Sequence, residues 1–208
     1  DQLRRAFLDV IGLVALLTIP AGAMIGLLAE PVVRVLLGPK WLDTVPLIQA
    51  LAIFGIVRSL HGPTGSIYMA LGKPRLIAIL QAVQFIVAMS SMIIAVPHWG
   101  PLGAAWCLVG GATFAMIINY IILLRDLNLN GLVLLGVCWR PLAGSLLMAA
   151  AMINVLPLHF DDFGAFEHIT NLLVQGFAAV VTYVAIVFIL WFSVGKPDGA
   201  EAQIHRSI

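Results

Sequence analysis

Runs of about 20 apolar residues recur along this chain and decide what it can fold into. The chain has 208 residues, of which 62% are hydrophobic and only 10% are charged. A soluble domain of this length could not bury so much apolar surface, because its surface area is too large relative to its core. Such runs match the ~30 Å hydrocarbon core of a bilayer at ~1.5 Å per helical residue. The sequence therefore predicts an all-α membrane protein, a bundle of six transmembrane helices.

The apolar runs also predict where the helices and their connections lie. The six spans are predicted at about residues 7–29, 45–69, 76–96, 101–124, 141–157 and 168–192. They form one transmembrane lobe, residues 1–195, followed by a short tail, residues 196–208. The short connections at 70–75 and 97–100 contain Gly and Pro, which predicts antiparallel contact between neighbouring helices.

Two longer connections are predicted to form surface elements. Residues 31–37 are expected to form a short helix that ends at Gly38, and residues 126–138 a second element before the fifth span. The chain starts at Asp1 rather than at a methionine, from which we expect sequence upstream of it.

The distribution of basic residues predicts the orientation in the membrane. With a cytoplasmic amino-terminal end, most basic residues outside the spans fall on the inner side. These are Arg4, Arg5, Lys73, Arg75, Arg125, Arg140, Lys196 and Arg206, against Arg34 and Lys40 outside. Cytoplasmic loops carry such an excess of Lys and Arg. We therefore expect both ends of this chain to be cytoplasmic.

Arg58 interrupts the second predicted span near its middle. It lies 15 residues from both Asp43 and Lys73, or about 22 Å along a helix. An arginine at this depth costs about 2.5 to 3.5 kcal/mol on insertion scales, so its side chain is expected to face a cavity. It could be bonded to backbone carbonyls of neighbouring helices and serve only the bundle. It could also line a water-filled path for an anionic substrate, which is the interpretation that we favour.

A few other polar residues are candidates for the lining of the same cavity. His61 follows Arg58 by three residues, on the same helical face, and is either a hydrogen-bonded interior histidine or a proton carrier. Gln81 and Gln84 are again three residues apart, and they either join helices by hydrogen bonds or line a polar cavity. Asn119 is the strongly polar interior residue of the fourth span.

Several classes of function find no support in the sequence. It has no cysteine and histidine cluster with zinc spacing, no phosphate-binding glycine loop before a lysine and no H-E-x-x-H motif. We therefore expect no enzyme activity, no catalytic or metal-binding residues, no cofactor and no nucleic-acid partner. No carboxylate lies deep within a predicted span, so a proton or sodium site built on one is not expected in this chain.

Four short motifs resemble one family of membrane proteins. They are Leu37-Gly38-Pro39-Lys40-Trp41, Ala50-Leu51-Ala52-Ile53-Phe54-Gly55, Ala70-Leu71-Gly72-Lys73-Pro74 and Gly100-Pro101-Leu102-Gly103-Ala104-Ala105-Trp106. Together they are similar to the carboxy-terminal half of bacterial polysaccharide exporters of the oligosaccharide flippase type. These exporters belong to the multidrug, oligosaccharidyl-lipid and polysaccharide exporter superfamily.

The resemblance implies a function and a set of partners. It implies one lobe of a transporter of 12 to 14 helices that works by alternating access in the bacterial inner membrane. The implied substrate is an undecaprenyl-diphosphate-linked oligosaccharide, with Arg58 as the diphosphate contact and an amino-terminal lobe and membrane lipids as further partners. The alternatives are another exporter of the superfamily, for a peptidoglycan precursor or drugs, and a non-transporting scaffold for glycan-synthesis enzymes.

Overall fold

The chain folds into long helices, which confirms the all-α class. The computed structural model describes residues 2–155 and 165–193. The helices are α1 (Gln2–Leu27), α2 (Ala29–Leu36), α3 (Val45–Ala70), α4 (Pro74–Leu127), α5 (Gly131–Val155) and α6 (Ala165–Ser193), with a 3-10 helix at Pro39–Thr44 before α3. In this described part, α1, α3, α4, α5 and α6 are long and apolar enough to cross a membrane.

α4 is a hairpin of two antiparallel limbs rather than one rod. At Gly100, φ is 59° and ψ is −148°, close to a backbone region that is almost confined to glycine. The first limb, residues 74–99, is thereby reversed into the second limb, residues 101–127. A β-carbon placed at Gly111 would lie only 3.7 Å from that of Ala88. The hairpin thus contains two apolar limbs, in the antiparallel contact that the short turn at 97–100 predicts.

The two connecting elements differ in outcome. α2 confirms the predicted short helix, and its chain turns at Gly38 with φ of 86°. The predicted surface element at 126–138 is not a separate helix: α4 ends at a left-handed Asn128, and α5 runs without a break from Gly131 to Val155. α5 then continues through Pro141, because a proline is tolerated in a membrane helix when neighbouring groups satisfy the freed carbonyl.

The earlier start of α5 changes the position of one cation. Arg140 is the tenth residue of α5 and is 9% exposed, whereas the sequence placed it before the start of the fifth span, on the inner surface. Its guanidinium carbon is 5.6 Å from the centre of the Trp139 ring. The basic residues assigned to the inner side are therefore reduced by one. The carboxyl end predicted for the fifth span and the tail at 196–208 lie outside the described residues.

Helix packing places α1 between α3 and α5. α3 packs against α4 on its other side, and α5 packs against α6. One buried cluster lies where α1, α3 and α4 meet, and it contains Phe7, Ile11, Ile67, Tyr68, Leu123 and Leu127. A second one, centred on α1, α5 and α6, contains Leu16, Met148, Met152, Ala179, Tyr183 and Val187. α3 is thus a shared wall between α1 and the α4 hairpin.

Gly103 tests the hairpin. A β-carbon at Gly103 would lie 2.9 Å from the carbonyl oxygen of Ala95 and 2.8 Å from the β-carbon of Trp99, so Gly103→Leu must push the limbs apart. We expect a loss of about 1 to 3 kcal/mol in the free energy of unfolding, measured in bicelles. Gly110→Leu is the matched control, because a β-carbon there meets nothing within 4 Å. Equal stability of the two variants would contradict the hairpin.

Candidate functional site

A small recess between α3 and the α4 hairpin collects most of the polar residues singled out in the sequence. Its volume is about 150 Å³, and its lining includes Arg58 and His61 from α3, Gln81 from the first limb and Asn119 from the second. We call it the polar recess. Three separate stretches of the chain therefore contribute polar side chains to one place.

Arg58 is the charged group of the polar recess. It is an exposed residue of α3, and it lines the recess together with Gly62. No hydrogen bond or ion pair joins its guanidinium to residues 2–154, 170 or 172–189, whose side chains the structure describes. The purely structural interpretation requires backbone carbonyls of the neighbouring helices to bind Arg58. In the described part of the chain, they do not.

His61, Thr64 and Asn119 form the buried side of the polar recess. Their exposed fractions are 9%, 2% and 4%. The Asn119 amide nitrogen donates to the carbonyl of Ala115 at 2.8 Å. The Thr64 hydroxyl donates to the carbonyl of His61 at 2.7 Å. These side chains are held by the helices and offer polar atoms at fixed positions.

The two glutamines take different positions. Gln81 is exposed and lines the polar recess. Gln84 is half-buried and lines a neighbouring cavity of about 20 Å³, which shares Leu80 and Asn119 with the recess. Arg58, His61, Gln81 and Asn119 thus line the same recess, whereas Gln84 lines only the adjacent cavity.

Two tyrosines that the sequence analysis missed join α3 to the second limb. The Tyr68 hydroxyl donates to the backbone carbonyl of Asn119 at 3.1 Å, and the Tyr120 hydroxyl donates to that of Leu60 at 2.8 Å. Tyr68 also lines the polar recess. It follows His61 by seven residues, two helical turns along the same face, and this spacing could have identified it.

Arg140, a buried cation of α5, does not belong to this site. α5 packs against α1 and α6, and Arg140 does not line the polar recess. Among the residues of 2–155 and 165–193, no group of three or more His, Cys, Asp or Glu side chains could hold a metal ion. What the recess can offer a ligand is therefore a positive charge with neutral hydrogen-bonding groups around it.

Five apolar helices long enough to cross a membrane, with a cation at a recess between two of them, are the arrangement of a multi-pass membrane protein. Comparisons with known proteins agree with this class. The family described as "Polysaccharide biosynthesis protein" matches residues 1–46. The match covers α1, α2 and the 3-10 helix, which precede the recess in the chain.

Curated relatives carry names from the same area of biology. The chain is 37% identical over 73 residues, 34% of its length, to the "Teichuronic acid biosynthesis protein TuaB" of Bacillus subtilis, and 30% identical over 70 residues, again 34%, to the "Lipopolysaccharide biosynthesis protein WzxC" of Escherichia coli. It is 27% identical over 133 residues, 64% of its length, to an "Uncharacterized membrane protein in cps region" of Klebsiella pneumoniae. These alignments cover 15%, 14% and 27% of the relatives.

These matches confirm the resemblance to the polysaccharide exporter and flippase family. They support a multi-pass membrane protein that is similar to proteins of polysaccharide biosynthesis. The aligned segments are a minor part of each relative, so the activity and the substrate of the whole protein are matters for proposal.

The tyrosine bonds predict a measurable contribution to stability. Hydrogen bonds between membrane helices contribute about 0.6 kcal/mol on average and at most about 1.7 kcal/mol. Tyr68→Phe and Tyr120→Phe should each lower the free energy of unfolding by an amount in this range, measured in bicelles. Tyr183→Phe, which removes a bond to the carbonyl of Leu16 in the other cluster, is the comparison. Only the first two should also alter the accessibility of a cysteine placed at Gly62 to a thiol reagent. Unchanged accessibility in both would show that the tyrosines do not shape the recess.

Proposed function

We propose that this chain takes part in flipping a lipid-linked oligosaccharide across the bacterial inner membrane for the synthesis of a surface polysaccharide. Arg58 is the contact for the diphosphate of the substrate. The observation that carries the proposal is an intramembrane guanidinium that lies at an open recess and has no hydrogen bond or ion pair within the described residues.

The energetic argument starts from the cost of Arg58. A charge inside the membrane is retained against a penalty of about 2.5 to 3.5 kcal/mol, and such residues commonly mark substrate pathways. A phosphate group offsets this penalty during transport, since guanidinium binds phosphate oxygens through two parallel charge-assisted hydrogen bonds. The bare cation therefore suits a ligand that arrives and leaves better than a permanent structural partner.

The remaining polar residues fit weaker roles around the same ligand. His61, Gln81 and Asn119 supply neutral hydrogen-bonding groups in the polar recess, and Gln84 supplies one in the adjacent cavity. A diphosphate carries more charge than one arginine neutralises. We infer that an amino-terminal lobe, facing this one, contributes further contacts and that the two lobes work by alternating access.

The orientation belongs to the same proposal. In this proposal both ends of the chain are cytoplasmic, because the basic residues near the helix ends are biased toward that side. They are Arg4, Arg5, Lys73, Arg75 and Arg125, against Arg34 and Lys40 on the other side. Arg58 then lies near mid-membrane, about equally distant from both surfaces.

Two alternatives fit the observations less well. A scaffold for glycan-synthesis enzymes needs no open recess and would tolerate an arginine enclosed by helices, whereas Arg58 is exposed. An exporter of a peptidoglycan precursor or of drugs could use the same recess. The relatives named for teichuronic acid and lipopolysaccharide biosynthesis favour a surface saccharide.

Replacement of Arg58 tests the proposed function. In the complete protein, Arg58→Ala should reduce polysaccharide export more than about tenfold, which corresponds to ~1.4 kcal/mol of lost substrate stabilisation. Arg58→Lys should retain part of the activity, because it keeps the charge but not the bidentate geometry. Export is measured as surface polysaccharide in a strain that lacks the chromosomal gene.

The control for this experiment is Arg125→Ala. Arg125 is an exposed cation in the last turn of α4, at the predicted inner surface, and its loss should leave export near the wild-type level. Membrane abundance of each variant is measured by immunoblot. Normal export by Arg58→Ala at normal abundance would refute the role of Arg58 in transport.

A further inference from the structure

An apolar groove lies on the side of α3 that faces away from the α4 hairpin. One part, of about 360 Å³, is lined by α1 and α3, and a second part, of about 490 Å³, adds α2 and Val180 of α6. The two parts share Ala21, Ile25 and Ile48 and so form one continuous space, which we call the apolar groove. The sequence motifs do not account for it.

Arg58 stands on the ridge between the apolar groove and the polar recess. The ridge follows the exposed face of α3 through Gly55, Arg58 and Gly62. Gly55 lines the groove and Gly62 lines the recess. A β-carbon at either glycine would meet nothing within 4 Å. The space on both sides of Arg58 along α3 is therefore open and is not blocked by a side chain. The charge therefore has the polar recess on one side and open apolar space on the other.

From this arrangement we propose that the apolar groove binds the hydrocarbon chain of the molecule whose phosphate contacts Arg58. The inference rests on the proposed function and adds a second part to its site. Its ligand is an amphiphile with a phosphate at one end and a long flexible chain at the other. The groove reaches Ile48, ten residues before Arg58, or about 15 Å along the helix axis.

The apolar groove suits a hydrocarbon chain in its shape and in its lining. A hydrocarbon chain is narrow and flexible enough to follow both parts. The lining supports the same occupant, because an apolar cavity takes up apolar ligands in preference to water.

Gly55→Leu tests the inference without disturbing helix packing, since the added side chain enters open space in the apolar groove. The complete protein in nanodiscs is incubated with a long-chain isoprenyl diphosphate that carries a photoreactive group on its chain. We expect Gly55→Leu to reduce capture of this probe at least fivefold. A short-chain isoprenyl diphosphate should compete equally well with either protein for the Arg58 site, because it does not need the groove.

Two further variants make the result specific. Ala21→Leu narrows the groove from α1 and should reduce capture as Gly55→Leu does. Gly110→Leu adds the same volume on the exposed side of the second limb, outside the groove, and should leave capture unchanged. In the wild-type protein, the labelled peptides should include Ile25 or Ile48.

The possible failures are distinct. Wild-type capture by both Gly55→Leu and Ala21→Leu, or labelling confined to α4, would overturn the groove and leave the role of Arg58 in export intact. Equal competition by phosphatidylglycerol would also overturn it, because the groove would then be occupied by bulk lipid. Normal export by Arg58→Ala would instead remove the proposed function on which the inference rests.

Discussion

The hydrocarbon interior of a membrane offers no water to satisfy a polar group, and this constraint governs the whole lobe. Most polar side chains meet it locally: Thr18, Thr113 and Asn154 each donate to the carbonyl four residues earlier at 2.7 to 2.8 Å. Tyr68 and Tyr120 meet it by reaching across to another segment. Arg58 does neither within the described residues, so its charge is the one for which a ligand gives the most direct physical explanation.

α3 gives that charge its two different surroundings. On one side, the tyrosine bonds hold the second limb against α3 and so define the polar recess. On the other side, α1 packs closely against α3, since a β-carbon at Gly22 would overlap the Ile56 side chain. The apolar groove lies along this contact between α1 and α3. Because Gly55 and Gly62 have no side chains, little besides Arg58 separates the polar recess from the apolar groove on this face of α3. A polar and an apolar binding surface can therefore serve one molecule only because a single helix separates them.

The family resemblance and the geometry support the proposal from independent directions. The relatives are named for the biosynthesis of teichuronic acid and lipopolysaccharide, which are surface saccharides. The family match, however, ends at residue 46, before the segments that carry the polar recess. The assignment of substrate contacts therefore depends on the chemistry of Arg58 and its neighbours, while the area of biology depends on the relatives.

The sequence by itself determined the membrane class, the apolar segments, the tight turn at 97–100 and the exceptional position of Arg58, because hydropathy and charge act over local stretches of chain. Only the tertiary structure decided which polar residues meet: it joined Gln81 and Asn119 to Arg58, excluded Gln84 and brought in Tyr68. It also extended α5 back to Gly131 and placed Arg140, buried, within that helix. The rotation and register of packed helices depend on contacts between distant segments, which no local pattern encodes.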